Sequence, residues 1–94
     1  MIGDKIRELR EGKEILLRQL AAQLDMDTAL LSKMERGDRF FRKEDILSLS
    51  EIFNQPVKEL LTIWLADKVL QTIHEEEYRA EALELALEKM KSEK

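Results

Sequence analysis

The sequence predicts an all-α protein made of five short helices and a C-terminal helical extension. Three observations support this fold class. Gly and Pro are scarce, no run alternates apolar and polar residues as a strand does, and apolar residues recur at helical spacing. With 94 residues, the chain is one domain, or one domain with an appendage.

Each of the five helices is indicated by its apolar spacing and by residues suited to its ends. Asp27 can cap the third helix because its carboxylate accepts a backbone N–H, and Gly37 suits the positive φ that often follows a helix. Pro56 can begin the fifth, where the N–H that it lacks would have no partner. The inward residues of helices one and four are Ile6, Leu9, Ile46, Leu49, Ile52 and Phe53. The helices are predicted over residues 2–13, 17–24, 28–36 and 43–53, and from Pro56 onward.

The C-terminal third has no helix-breaking residue, so the sequence does not decide whether it forms one continuous helix or two. Its apolar stripe is interrupted by HEEEYR at residues 74–79 and resumes with the spacing of a short heptad seam. Such a broad apolar face predicts packing on a second chain. We therefore divide the chain into a domain of residues 1–61 and a dimerisation extension of residues 62–94. The expected interface residues are Leu61, Trp64, Leu83, Leu87 and Met90, with the core as the alternative place for Trp64.

Composition excludes several functional classes. The chain has no Cys and one His, which excludes disulfides and thiolate ligands and argues against a zinc site. No apolar run approaches the roughly 20 residues of a membrane span, and the N-terminus lacks the apolar region of a secretory signal. No phosphate-binding loop or nucleophile motif indicates an enzyme. We expect a cytoplasmic protein without metal, cofactor or catalytic residues.

One segment carries a specific pattern, LRQLAAQLDMDTALLSKMERG at residues 17–37. Two helices that meet at a steep angle need a shared apolar wedge, a short turn and a small residue where they cross. Ala21 supplies the small residue. The wedge is formed by Leu20, Leu24, Met26, Leu31 and Met34. The segment therefore predicts a helix-turn-helix.

With its flanks, this segment resembles the lambda-repressor-like helix-turn-helix domains, the xenobiotic-response-element family that includes Cro. The resemblance covers roughly residues 3–61 and implies a five-helix bundle. It also implies a dimeric, sequence-specific regulator that binds double-stranded DNA. The matching stretches are IRELR at 6–10, QLAAQLDMD at 19–27, LSKMERGDR at 31–39 and ILSLSEIFNQPVKELL at 46–61.

The resemblance implies roles for particular residues, with the third helix in the major groove. Base edges would be met by Thr28, Ala29, Ser32 and Lys33. Lys33 is chemically the best base reader, because an ammonium can donate to guanine O6 or N7. Phosphates would be met by Arg18, Arg36, Arg39, Arg42 and Lys43. Arg10 and Glu35 resemble a buried ion pair that holds the third helix in place.

The sequence departs from the family pattern at three places. Leu16 and Leu17 stand where Thr-Gln commonly begins the second helix, which removes a cap and a polar DNA contact. Asp25 occupies the turn position that usually holds Gly, although Asp tolerates a positive φ better than most residues. Phe40 and Phe41 replace polar residues or Pro in the following loop.

Two functions remain open. The first is a homodimeric transcription regulator on a pseudo-palindromic site, with its recognition helices about 34 Å apart. It would be a minimal repressor or activator, or a controller-type protein. The net charge is −4, but residues 1–43 carry more Lys and Arg than Asp and Glu, and a locally basic face is what phosphate requires. The alternative is a protein-interaction module, such as an antitoxin or anti-repressor, whose C-terminal helix binds a protein partner.

Overall fold

The structure is a computed structural model that describes residues 1–93, and these fold into six helices without a strand. The helices are α1 Ile2–Gly12, α2 Leu17–Gln23, α3 Thr28–Glu35, α4 Lys43–Ile52, α5 Val57–Thr72 and α6 Arg79–Ser92. The predicted all-α class is confirmed. The first four helices begin at the predicted residues and each ends one residue earlier. The C-terminal third forms two helices, with the break at residues 73–78.

The first four helices all end in the same backbone motif. In each, a residue of positive φ follows the cap, and two successive amides donate to carbonyls three and five residues earlier. This is the Schellman arrangement. The expectation for Gly37 is confirmed, and Gly12 is the last residue of α1. The residues of positive φ are Glu14, Asp25, Gly37 and Asn54, with φ of 55°, 53°, 85° and 51°.

The core lies among the first five helices. Helix α1 packs on α3 and α5, α2 packs on α3, and α4 packs on α5. The largest fully buried side chains are Ile6, Leu20, Leu31, Phe41, Ile46, Leu49, Phe53 and Leu60. These contacts place α3 at the edge of the bundle, where one of its faces is covered and the other is open.

Helix α5 leaves the core after Trp64. No later residue of α5 is buried, and α6 buries none at all. We call residues 65–93 the C-terminal arm. The Cα radius of gyration is 15.3 Å, against about 12 Å for a compact domain of this length, because the arm extends from the bundle. The predicted division at residues 61 and 62 falls inside α5, which is continuous there.

Residues expected at a dimer interface fall into two groups. Trp64 is only 7% exposed, and its indole N–H donates to the carbonyl of Phe41 at 2.8 Å. It therefore belongs to the core of the single chain and offers little surface to another. Leu61 is half-buried, whereas the three residues on α6 are open to solvent. Within residues 1–93, no helix combines the length and apolar character needed to cross a bilayer.

Candidate nucleic-acid interface

Helices α2 and α3 meet through the apolar wedge expected from the sequence. Leu20 and Ala21 are buried on α2, and Leu31 and Met34 are buried on α3. The carboxylate of Asp27 accepts the backbone N–H of Leu30 at 3.3 Å, which caps α3 as predicted. The two helices are thus held by side-chain packing on one side and by a capped turn at their junction.

Helix α3 is attached to α1 by a charged pair at its C-terminal end. The guanidinium of Arg10 donates to Glu35 Oε2 at 2.8 Å and to Glu35 Oε1 at 3.1 Å. It also donates to the carbonyl of Ile15 at 3.0 Å. Glu35 is only 6% exposed, so its charge depends on this partner. The hydrogen bonds to Glu35 raise the pKa of Arg10 above its ordinary value.

A second attachment between the same helices depends on a glycine. A Cβ placed on Gly3 would lie 2.7 Å from the carbonyl oxygen of Met34, and it would also meet that of Glu35. The first turn of α1 therefore approaches the last turn of α3 more closely than a side chain allows. The amide of Ile2 donates to Asp67 Oδ2 at 2.7 Å, which holds this end of α1 against α5. Sequence patterns did not indicate the approach at Gly3, because it depends on a distant segment.

The predicted base-contacting residues share the open face of α3. Thr28, Ala29 and Lys33 are exposed, and Ser32 is half-buried. They lie together because positions one, two, five and six of a helix share one side. The opposite side is buried against the core. The structure therefore presents a strip of small and polar side chains that includes the ammonium of Lys33.

The predicted phosphate-contacting residues differ in their charge partners. Arg36 Nε lies 3.4 Å from Asp38 Oδ2, and Arg42 Nη2 lies 3.0 Å from Asp45 Oδ1. Asp45 raises the pKa of Arg42, chiefly through hydrogen bonding. Within residues 1–93, no carboxylate pairs with the other members of the set. These unpaired cations are Arg18, Arg39 and Lys43, and Lys33 on α3 is also unpaired.

The loop between α3 and α4 is anchored by the second of its two phenylalanines, Phe41. Phe41 is buried, and its carbonyl accepts the hydrogen bond from Trp64. Phe40 is exposed and lines a cleft of about 290 Å³ together with Met1, Leu70 and His74. Arg39 lines the same cleft as Arg36 and Gly37, which places it beside the end of α3.

Two capping contacts were not foreseen from the sequence. The side chain of Gln19 accepts the amide of Leu16 at 2.8 Å, although the usual hydroxyl cap is absent there. The carboxylate of Asp45 accepts the amide of Arg42 at 2.9 Å. In both cases the acceptor lies three residues after the cap, which is the spacing of a capping box. That spacing could have indicated both contacts.

Comparison with known proteins agrees with this geometry. A family model described as "Helix-turn-helix domain" matches residues 2–62. The HTH-type transcriptional activator BcrR of Enterococcus faecalis is 33% identical over 60 residues, which is 64% of this chain and 29% of BcrR. The chain thus spans less than a third of that relative. No solved structure gives a significant match. The chain belongs to the helix-turn-helix domain family.

Proposed function

We propose that this chain is a DNA-binding transcription regulator of the lambda-repressor-like type, which acts as a homodimer on a pseudo-palindromic site. The observation that carries the proposal is the open strip on α3, residues 28–33, beside unpaired cations. The family match and the similarity to a transcriptional activator support it. The protein acts by binding, in the cytoplasm, where chromosomal DNA lies.

Base reading follows from the chemistry of the strip. Helix α3 enters the major groove, and the ammonium of Lys33 donates to guanine O6 or N7. The methyl groups of Thr28 and Ala29 contact thymine methyl groups. Ser32 contributes a smaller polar contact, because it is half-buried. The attachments at Gly3 and Arg10 hold α3 at a fixed angle while it reads the groove.

Phosphate binding supplies most of the affinity. Arg18, Arg39 and Lys43 need not break an ion pair before they bind phosphate. Each can therefore neutralise a phosphate and release condensed counterions from DNA. Arg36 and Arg42 already form ion pairs with Asp38 and Asp45, which would compete with phosphate for them. We therefore rank the three unpaired cations above the two paired ones as phosphate contacts.

A protein-interaction module is the second candidate, and the C-terminal arm is what favours it. The arm carries an apolar face that its own chain leaves open. In this case the helix-turn-helix would serve as a scaffold, and a different protein would cover the arm. The unpaired cations around α3 favour DNA as the ligand of the bundle.

The first test is selection of duplexes from a random DNA library with the purified chain, at moderate and at high salt. A specific dimeric regulator recovers a site with two-fold symmetry that survives high salt. Recovery of only weak, salt-sensitive binding would contradict the proposal and favour the interaction module.

Variants then assign the contacts. Arg39→Gln is expected to weaken binding to all sequences and to reduce the salt slope by about one unit. Lys33→Ala is expected to relax specificity at one base pair at a cost of about 1–3 kcal/mol. Lys89→Gln removes an equal charge from α6 and serves as the control, with no expected change. An unaltered salt slope in Arg39→Gln would remove this residue from the phosphate set.

A further inference from the structure

We propose that α6 pairs in parallel with α6 of a second copy of this chain. The inference rests on the homodimer of the proposed function and supplies its interface and orientation. Leu83, Leu87 and Met90 are 36%, 48% and 61% exposed, and none of them is buried in their own chain. An apolar face of this kind, repeated along a whole helix, marks an interaction site.

The apolar residues of α6 have the spacing of a two-stranded coiled coil. Ala80, Leu83, Leu87 and Met90 are separated by three, four and three residues, which are the intervals between successive a and d positions of a heptad. All four therefore lie along one side of the helix. In a parallel pair each meets its own counterpart, which gives four matched layers.

Charges beside this seam favour the second copy as the occupant and the parallel orientation. With Ala80 at position a, Arg79 takes position g and Glu84 takes position e, and both are exposed. In a parallel pair, a g residue faces the e residue five positions further along the partner helix. Arg79 then meets the partner's Glu84, twice by symmetry. An antiparallel pair that matches Ala80 with Met90 would instead bring the two Glu84 side chains together.

The apolar surface continues onto α5, which gives the interface more than two heptads. A helix of 14 residues is marginal by itself. The groove between the two helices is lined by the mainly apolar set Leu70, Ile73, His74, Arg79, Ala80 and Leu83. Leu65 and Val69 extend this surface toward the bundle. A second arm can therefore cover α6 and the end of α5 together.

Parallel pairing has a consequence for the bundle. It puts both helix-turn-helix units at the same end of the paired arms, because each α6 follows its unit in the chain. Both α3 helices can then approach one side of a duplex. An antiparallel pair would place the two units at opposite ends of the arms.

The interface is tested without DNA, so its failure can be distinguished from failure of DNA binding. Sedimentation equilibrium should give a dimer for the natural chain and a monomer for Leu87→Glu. Leu87 is not part of the core, so the variant should keep the helical circular dichroism of the first five helices. Leu47→Glu on α4 is the matched control, since Leu47 is 43% exposed, and it should remain a dimer.

Two results would overturn the interface. One is a natural chain that sediments as a monomer, which would leave α6 to a different protein. The other is a Leu87→Glu variant that remains a dimer. In either case, the library selection still decides separately whether the chain binds DNA.

Orientation is tested by single-cysteine crosslinking. The chain has no cysteine, so Met90→Cys introduces one thiol per copy. A parallel pair brings the two thiols into one layer, and oxidation should give a covalent dimer. An antiparallel pair separates them by ten residues, about 15 Å along the helix, and absence of the disulfide would overturn the orientation.

Charge reversal tests the proposed pairing of Arg79 with Glu84. Arg79→Glu replaces two attractions by two repulsions and should weaken dimerisation about tenfold. Adding Glu84→Arg should restore it. A double variant that stays as weak as the single one would contradict this contact.

Discussion

Helices α4 and α6 both contain several leucines, but α4 buries one apolar face and α6 buries no residue. Ile46 and Leu49 on α4 are fully buried, whereas Leu83, Leu85 and Leu87 on α6 all remain accessible to solvent. Helix α4 packs on α5 of the same chain. Helix α6 has no comparable neighbour. Apolar spacing thus shows that a helix needs a partner, and it does not show where that partner comes from.

The two regions also differ in how polar groups are used. In the bundle, the guanidinium of Arg10 donates to Glu35, and the indole N–H of Trp64 donates to the carbonyl of Phe41. In the arm, Asp67 accepts the amide of Ile2, whereas the side-chain hydrogen bonds of Thr72, Arg79 and Ser92 are exposed and reach only nearby carbonyls. The bundle is therefore specified by contacts between distant residues, and the arm is held mainly by local helix formation.

The largest expected difference comes from removing one leucine from each region. Leu60→Ala should lower the free energy of unfolding by about 2–5 kcal/mol, because it leaves a cavity in a closed core. Leu85→Ala should change it by less than about 0.5 kcal/mol, since Leu85 is exposed and lies off the proposed seam. Urea unfolding followed by circular dichroism measures both. Equal losses would show that the arm packs as tightly as the bundle.

The next difference concerns two arginines on the same helix. Arg10→Ala should lower the free energy of unfolding by about 3 kcal/mol, because it leaves the buried carboxylate of Glu35 without a partner. Arg7→Ala should cost less than about 1 kcal/mol, since Arg7 pairs with Glu11 at 3.6 Å in an exposed contact. Thermal unfolding distinguishes them. If Arg10→Ala melted like Arg7→Ala, the pair would not be what holds α3 to α1.

The smallest single-variant effects are expected for two glycines in α1. Gly3→Ala should destabilise the chain by about 1–3 kcal/mol, because the added methyl group meets the backbone of α3. Gly12→Ala meets nothing within 4 Å, and it should stabilise α1 by up to about 1 kcal/mol. Opposite shifts in the urea midpoint are the expected result. Shifts of the same sign would argue against the close approach at Gly3.

Much of the fold could be predicted from the sequence because it depends on neighbouring residues. Caps and apolar spacing indicate where the helices begin. The turn at Asp25 could be predicted because Asp adopts a positive φ more readily than most residues. The family resemblance located the helix-turn-helix, and the family match confirmed it. The residues proposed for base reading share a face for the simple reason that helical spacing puts them there.

The break between α5 and α6 was harder to predict, because no Gly or Pro marks it. Glu75, Glu76 and Glu77 follow the C-terminal end of α5, where the helix dipole disfavours negative charge. That is a local signal, although a weak one. It explains why the apolar stripe stops there and resumes on a separate helix.

The sequence alone determined where the first four helices begin and which face of each is apolar, since these follow from contacts within a few residues. Only the tertiary structure decided which faces are covered and which charges are already paired. Trp64 became a core residue because it reaches Phe41, and α1 is held against α5 because Asp67 accepts the amide of Ile2. A side chain is excluded at Gly3 because Met34 in the last turn of α3, 31 positions further along the chain, packs against it. Such contacts depend on how the helices pack, which helical spacing does not specify.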